Sequence, residues 1–289
     1  MLERFSEIVF DRRGGSSQIA VGLLRYLEEA VPEEGPDVVK LFLEELYATV
    51  LKRRSLVSPI NLVGIMKQAY TISLEESGHM PYLREMIRQL RRMYEAALEA
   101  ALRSAEKRLA QYSTVLTLSK SSQVISTVKR IIPRESRVLV GWPLMDGLAA
   151  YRELKASGLN AILLPDLSVH EALTGVDALL LGCDAVLPDG SAVNRSGSGI
   201  VALAAREAGI PTFIICDSTK LDINNLWEAE KWSLTVEGAP VEFQVFERID
   251  SGLVTEYISE LGCLAPASFV DAARKEVGSW PRRLSSQQR

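Results

Sequence analysis

The chain has 289 residues, of which 47% are hydrophobic, so it is long enough for about two domains and can bury a full core. Its 33 basic and 37 acidic residues give a net charge of −4, which provides no basic signature for nucleic acid binding. No apolar run approaches the roughly 20 residues of a membrane span. Residues 1–15 lack the apolar block of a secretory signal. We therefore expect a cytoplasmic protein that binds neither membranes nor nucleic acid.

The cysteines and histidines favour neither a metal site nor a disulfide. Cys183, Cys216 and Cys263 are widely spaced in apolar surroundings, which is typical of buried, reduced thiols. His79 and His170 have no Cys or His neighbour at ligand spacing. The G-x-G-x-x-G run of dinucleotide sites and the G-x-x-x-x-G-K-[ST] run of P-loops are also missing. We expect no metal and no cofactor.

The first hundred or so residues have the apolar spacing of helices. Helices are predicted over residues 16–30, 37–52, 59–73 and 82–109. The last of these is long, amphipathic and rich in strong helix formers. We predict a helical N-terminal domain over residues 1–110.

From about residue 110, short apolar runs alternate with helical stretches. Strands are predicted over residues 114–118, 137–141, 161–165, 178–181 and 212–216, with helices over residues 121–132, 144–156 and 198–208. This alternation indicates βαβ units and a mostly parallel sheet, and so an α/β fold. We predict that this second domain covers residues 111–280, with 241–248 as an added edge strand. The polar residues 281–289 are expected to form a flexible tail.

Three segments could bind an anion, because a helix start offers free N–H groups and parallel sheets bind ligands beyond the carboxyl ends of their strands. They are Arg13-Gly14-Gly15-Ser16-Ser17, Ser119-Lys120-Ser121-Ser122 and Ser196-Gly197-Ser198-Gly199, the last preceded by Asn194 and Arg195. Asp184 stands where the apolar run of a strand breaks. Each segment alone is more typical of a helix cap. Together with this acid, they make an anionic small ligand an equally good interpretation.

Several runs of residues resemble one known family. Residues 182–198 resemble its G-A-D…N-G…N-K-I-G-T run, residues 116–122 its L-T-H-C-N-S-S, residues 143–147 the last part of its R-P-L-x-Q-G, and residues 266–278 its P-P-x-x-I-D…T-E-x-G. The family includes the alpha, beta and delta regulatory subunits of eukaryotic translation initiation factor two B, ribose-1,5-bisphosphate isomerase and methylthioribose-1-phosphate isomerase. The resemblance covers nearly the whole chain. It implies a helical domain followed by a Rossmann-like domain, and a homodimer or higher homo-oligomer.

The resemblance also implies an isomerase chemistry, in which a Cys and an Asp act as acid and base to interconvert an aldose phosphate and a ketose phosphate. The Asp corresponds to Asp184 and the Cys to Ser119, while Leu118 takes the place of the preceding His. A serine hydroxyl is a far weaker acid than a thiol, so the expected proton-transfer pair is incomplete. Trp142 and Asp146 replace the family's Arg and Gln, which weakens a phosphate site at that corner.

Two further residue pairs are interpreted as structural. Asp146-Gly147 and Asp189-Gly190 are more typical of turns than of sites.

Cys183 is not expected to replace the missing thiol, because neighbouring residues at a strand end point to opposite faces. Lys120 remains a possible helper for Ser119, although a lysine at a helix start is more often solvated or turned toward phosphate.

Two functions remain open. The main hypothesis is a protein similar to the initiation factor two B regulatory subunits, which binds a sugar phosphate or nucleotide without turnover and contacts a translation-factor partner. The alternative is an aldose–ketose isomerase acting on a ribose phosphate of the ribose-1,5-bisphosphate or methylthioribose-1-phosphate type, with Asp184 and Ser119 as catalytic residues. In both, the phosphorylated small molecule would be held by Arg13, Gly14, Gly15, Ser16, Ser121, Ser122, Asn194, Arg195 and Gly197.

Overall fold

The structure is a computed structural model that describes residues 2–12, 14–31, 35–77 and 82–286. Its N-terminal part is helical, with α1 (Leu2–Val9), α2 (Ser16–Ala30), α3 (Pro36–Val50), α4 (Val57–Ser77) and α5 (Leu83–Leu109). The apolar spacing of α2 buries Ile19, Leu23 and Leu27 on one face, as the sequence predicts. No helix in the described ranges is both long enough and apolar enough to cross a membrane.

Strands and helices then alternate. The elements up to β7 are β1 (Thr114–Leu118), α6 (Ser122–Ile131), β2 (Glu135–Leu139), α7 (Asp146–Ala156), β3 (Ala161–Leu164), α8 (Val169–Leu173), β4 (Ala178–Leu181), β5 (Ala185–Val186), β6 (Ala192–Arg195), α9 (Ser198–Glu207) and β7 (Thr212–Ile215). After them come β8 (Lys231–Val236), β9 (Ala239–Gln244), β10 (Phe246–Ile249), β11 (Glu256–Ser259), β12 (Gly262–Leu264) and α10 (Pro266–Ser286). The predicted α/β class is confirmed.

The main sheet has the strand order β12-β11-β7-β4-β1-β2-β3. Its strands are parallel except β12, which runs antiparallel to β11. From β1 the chain moves to β2 and β3 on one side, and then returns to place β4 on the other side. This reversal of strand order opens a crevice beyond the carboxyl ends of β1 and β4, the usual position of a ligand in an open α/β sheet. The fold therefore brings the residues after Leu118 and those after Leu181 to one place.

Both faces of the sheet are covered by helices. Along β4, Leu179 and Leu181 belong to the core that includes α8, α9 and α10, whereas Leu180 belongs to the core that includes α5, α6 and α7. The strand is fully buried, which explains why its sequence is continuously apolar rather than alternating.

Two predicted elements differ from the structure. Residues 241–248 do not form an edge strand of the main sheet, because they divide between the β8–β9 hairpin and β10, which pairs with β6 in a separate small sheet. The predicted flexible tail is wrong for residues 281–286, which continue α10. Trp280 and Leu284 are buried against the N-terminal helices, and this long-range packing orders a segment whose composition is polar. Residues 287–289 lie outside the described residues.

The helical part and the sheet share a core. The buried cluster around α2, α4 and α5 also contains Ala185, Val193 and Phe246 from the small β5–β6–β10 sheet. This packing sets the beginning of α2 against the carboxyl ends of the main strands. The division between domains at residue 110 stays a prediction.

Candidate functional site

A cavity of about 480 Å³ lies at the crevice between β1 and β4. Its described lining combines the beginning of α2, the segments after β1 and β4, and the beginning of α7. Four lining side chains are cationic and two are acidic: Arg12, Lys120, Arg195, Lys220, Asp146 and Asp184. A cavity with this excess of positive charge and with the starts of α2, α6 and α7 at its wall favours an anionic ligand.

Asp184 is the buried acid of the cavity. It follows β4, and only 8% of it is exposed. Its backbone N–H donates to the carbonyl oxygen of Val193 at 2.8 Å, which fixes the chain at this point. Its Oδ1 accepts a hydrogen bond from the backbone N–H of Ser16 at 3.3 Å. A carboxylate therefore lies at the first turn of α2, where the helix dipole favours negative charge.

Lys220 is a cavity residue that the sequence interpretation missed. It ends the short 3₁₀ turn Ser218–Lys220 after β7 and is 1% exposed. Its Nζ donates to the Oγ of Ser16 at 2.6 Å. A signal was present, because β7 neighbours β4 in a parallel sheet and its carboxyl end must open onto the same edge.

The segment after β1 forms a second wall. Ser119 is buried and has a φ of +64°, a left-handed conformation that is uncommon for serine. Ser121 is the N-cap of α6, and its side chain accepts a hydrogen bond from the backbone N–H of Val124 at 3.4 Å. A Cβ atom at Gly182 would overlap the Ser121 side chain, so the glycine lets the ends of β1 and β4 approach. Lys120 is 36% exposed, with its Nζ 3.7 Å from Glu153.

Asp146 and Arg195 form an ion pair across the cavity, with Nε 3.0 Å from Oδ2. The guanidinium carbon of Arg195 also lies 4.8 Å from the centre of the Phe246 ring. The interpretation of Asp146 as a turn residue is wrong, because it is the first residue of α7 and its carboxylate faces a cavity residue. Within the described chain, Nη1 of Arg195 is buried without a hydrogen-bond partner. That nitrogen has an unused hydrogen-bond donor beside the cavity wall.

Cys183 is buried in the same core as Leu179 and Leu181, and it also borders the cavity beside Asp184. That it does not replace the missing thiol stays a prediction. Burial raises the pKa of the Cys183 thiol to about 12. Its Sγ donates to the carbonyl oxygen of Ala185 at 2.7 Å. A neutral thiol held in this way is a poor proton carrier near neutral pH.

The third candidate anion segment is not brought to the cavity. Ser196 and Gly197 line a separate hollow of about 210 Å³ beside Trp142. The carboxylate of Glu247 accepts a hydrogen bond from the backbone N–H of Gly199 at 2.6 Å, so the start of α9 already has an anionic partner.

Most of the site residues predicted from the sequence lie at the cavity wall. They are Gly14, Gly15, Ser16, Ser119, Ser121, Ser122, Asp184, Asn194 and Arg195. The side chain of Asn194 donates to the Oγ of Ser198 at 2.9 Å. Arg13 lies outside the described residues. Its neighbour Arg12 lines the cavity, with its guanidinium carbon 4.8 Å from the centre of the Trp232 ring.

A buried carboxyl group, Asp217, and a partly buried one, Glu260, lie behind Lys220. Asp217 is fully buried, and its Oδ1 accepts a hydrogen bond from the backbone N–H of Thr219 at 3.1 Å. Glu260 accepts from the backbone N–H of Ser218 at 3.0 and 3.2 Å. Burial raises the pKa of Asp217, and the charge of Lys220 offsets part of that rise. Burial, followed by the charge of Asp217, raises the pKa of Glu260 to about 7.

We expect this elevated pKa to give the free energy of unfolding a falling slope with pH. Between its ordinary value of 4.5 and about 7, Glu260 holds more protons in the folded than in the unfolded chain. Stability therefore decreases as pH rises through that window and levels off above it. Glu260→Gln keeps an acceptor for Ser218 but cannot ionise. At alkaline pH it should unfold at a higher urea concentration than the wild type. The difference in free energy of unfolding between variant and wild type should grow by roughly 1–3 kcal/mol from acidic to alkaline pH. An unchanged slope in urea titrations across this range would contradict the assignment.

Three comparisons with known proteins agree with this architecture. Ribose 1,5-bisphosphate isomerase from Archaeoglobus fulgidus is 25% identical over 276 residues, which cover 91% of this chain and 82% of that protein. Methylthioribose-1-phosphate isomerase from Symbiobacterium thermophilum is 28% identical over 179 residues, 54% of this chain and 48% of that protein. The crystal structure of translation initiation factor eIF-2B from Pyrococcus horikoshii OT3 superposes with a TM-score of 0.78 at 20% identity, covering 93% of this chain and 98% of that one.

The family is established over most of the chain. The crystal structure supports the fold alone, since its sequence identity is low. The sequence model of the Initiation factor 2 subunit family, in contrast, matches residues 12–281, which include both the helical part and the sheet. The chain therefore belongs to the Initiation factor 2 subunit family.

Proposed function

We propose that the chain is an aldose–ketose isomerase acting on a ribose phosphate. The observation that carries this proposal is the Asp184 carboxylate, buried in a cavity whose described lining has an excess of cationic side chains. A carboxylate shielded from water is suited to moving a proton between two carbons of a bound sugar. The two isomerase relatives support this alternative over the regulatory-subunit reading that the sequence alone favoured.

The substrate class follows from the names of these relatives. Both act on a ribose whose C1 oxygen carries a phosphate. Isomerisation of such a sugar opens the ring and moves one proton from C2 to C1, which yields a ketose phosphate. Asp184 would take the C2 proton and return it to C1. One carboxylate can serve both carbons because they are adjacent in the substrate.

Phosphate would bind at the cationic and helix-start groups of the wall. Arg12 contributes a guanidinium. At the first turn of α2, a phosphate would have to replace the side chains of Asp11, Gln18 and Asp184, which accept hydrogen bonds from the N–H groups of Gly14, Gly15 and Ser16. Ser121 and Ser122 lie at the start of α6, which also lines the cavity. More than one helix start at the same cavity suits a ligand with phosphate at one or both ends.

A second function, binding without turnover, is favoured by a different observation. Ser119 has a hydroxyl where the isomerase chemistry uses a thiol, and Lys120 beside it lies near Glu153 rather than facing Asp184. A translation-factor partner and a homodimer or higher homo-oligomer belong to this reading as predictions.

Turnover by the purified chain separates the two functions. Ribose-1,5-bisphosphate and methylthioribose-1-phosphate would each be incubated with the protein and followed by ³¹P and ¹H NMR. Appearance of the matching ketose phosphate supports the isomerase. Ligand-induced thermal stabilisation with no product from either sugar would support binding without turnover instead.

Asp146 is expected to limit the affinity for phosphorylated ligands. Asp146→Asn removes a negative charge from the cavity and frees Arg195 to face a phosphate. Affinity should rise about 3- to 10-fold, the equivalent of roughly 1 kcal/mol. Calorimetric titration with ribose-1,5-bisphosphate would be done in an Asp184→Asn background, so that no substrate is consumed. Arg195→Met is the opposing variant and should weaken binding. An unchanged affinity in both would show that this ion pair does not face the ligand.

A further inference from the structure

The proposed isomerisation needs a second proton carrier besides Asp184. Ring opening delivers a proton to the ring oxygen, and formation of the ketose removes a proton from the C2 hydroxyl. Among the described residues, Ser119 is a weak acid with no basic hydrogen-bond partner, and Cys183 is held neutral by burial. Lys120 is partly exposed beside Glu153. These three residues are therefore poor candidates for this role.

Ser16 and Lys220 form a buried pair directly beside Asp184. The Ser16 hydroxyl accepts a hydrogen bond from Lys220 Nζ at 2.6 Å, while the Ser16 backbone N–H donates to Asp184 Oδ1 at 3.3 Å. Ser16 and Lys220 are each 1% exposed, and both line the cavity. Lys220 donates to a lone pair of the Ser16 oxygen and does not use the hydroxyl proton. The Ser16 O–H can therefore donate to a bound sugar.

The charged surroundings of Lys220 are also defined. Asp217 is a fully buried carboxyl three residues before it; burial raises the pKa of Asp217, and the charge of Lys220 offsets part of that rise. Glu260 lies beyond Asp217. Asp184, just after β4, contacts the same serine. The charge of Lys220 also offsets part of the rise that burial causes in the pKa of the Cys183 and Cys216 thiols. A lysine buried among these groups can exchange a proton through the serine without contact with bulk water.

We propose that Ser16 and Lys220 form the proton relay that works opposite Asp184, a role that rests on the proposed isomerase function. In the first step, the bond between C1 and the ring oxygen breaks. The Ser16 hydroxyl gives its proton to that oxygen and regains one from Lys220. Asp184 then takes the proton from C2, and the electrons of the broken C2–H bond form the C1–C2 double bond of an enol phosphate.

The second half restores both groups. The C2 hydroxyl gives its proton to Ser16, and Ser16 passes its own proton back to Lys220. Asp184 returns its proton to C1. The product has a C2 carbonyl, a phosphate ester on C1 and an open ring. No oxidant or co-reactant is consumed. Ser16 touches the substrate and is a catalytic residue, whereas Lys220 acts through it.

Substitutions at both positions test the relay. Ser16→Ala and Lys220→Ala should each lower kcat about 30- to 100-fold, within the range of acid–base contributions. The dissociation constant for ribose-1,5-bisphosphate, measured in the Asp184→Asn background, should change less than about threefold. Ser16→Thr keeps a hydroxyl and should recover most of the lost rate. Methylamine should partly restore Lys220→Ala, a rescue that a purely structural lysine would not give.

Matched variants keep the outcomes distinct. Ser136→Ala removes another buried serine hydroxyl, on β2 and outside the cavity, and should leave kcat unchanged. If the wild type isomerises the sugar and Ser16→Ala keeps its rate, the relay is overturned while the isomerase function stands. A large loss in Lys120→Met with little loss in Lys220→Ala would assign the role to Lys120. A wild-type chain with no turnover overturns both proposals. Thermal melts of each variant exclude unfolding as the cause of lost activity.

Discussion

Asp184→Asn should lower kcat by about 10³- to 10⁴-fold, near the upper end of acid–base contributions, and leave the affinity for ribose-1,5-bisphosphate within a fewfold of the wild type. The amide keeps an oxygen that can accept from the Ser16 N–H, so the geometry at the start of α2 is retained. What it loses is the ability to carry a proton between C2 and C1. The rate would be followed by ³¹P NMR and the affinity by calorimetry.

A surface aspartate provides the control for this substitution. Asp189 is 48% exposed and pairs with Arg248 outside the cavity, so Asp189→Asn should retain the full rate. If Asp184→Asn also turned substrate over at the wild-type rate, the carboxylate would not be the proton carrier. If it bound no ligand at all, the carboxylate would be a binding group instead. Deuterium uptake at C1 of the product, measured in ²H₂O, gives an independent view of the same step.

Gly147→Ala should have the largest effect on stability, about 3 kcal/mol or more. A Cβ atom at this position would overlap the carbonyl oxygen of Leu139, which belongs to a buried strand and cannot move aside like a side chain. The Gly147 N–H also donates to the carbonyl oxygen of Val140 at 2.9 Å, so α7 cannot shift outward without losing that bond. Urea unfolding followed by circular dichroism measures the loss.

Gly278 is the matched helical glycine for this test. It is exposed in α10, and a Cβ atom there would have no heavy atom within 4 Å. Gly278→Ala should therefore raise the free energy of unfolding by roughly 0.5–1 kcal/mol, because alanine loses less backbone entropy on folding. Equal effects at the two glycines would show that close packing of α7 on β2 is not what requires Gly147.

The site was only partly predictable from the sequence. Strand-end and helix-start chemistry is local, so Asp184 and the segments at Gly14 and Ser121 could be identified from their neighbours along the chain. Lys220 was missed, although its position after a strand was visible, because a single lysine in a turn carries no local signal of burial. Gly197 had the same local signal as Gly14. At the start of the same helix, the N–H of Gly199 donates to Glu247, which lies 48 residues further along the chain and is not visible in the local pattern.

The sequence by itself determined the α/β class, the parallel order of strand and helix, and the acid at the end of β4. These features depend on residue periodicity and on the way a strand or helix ends. Tertiary structure decided which of those ends meet. Ser16 contacts Asp184 across 168 positions of sequence and Lys220 across 204. Such contacts depend on how the α2 face packs against the small sheet and how α10 closes over it. They arise from buried area shared by distant segments, which no local pattern encodes.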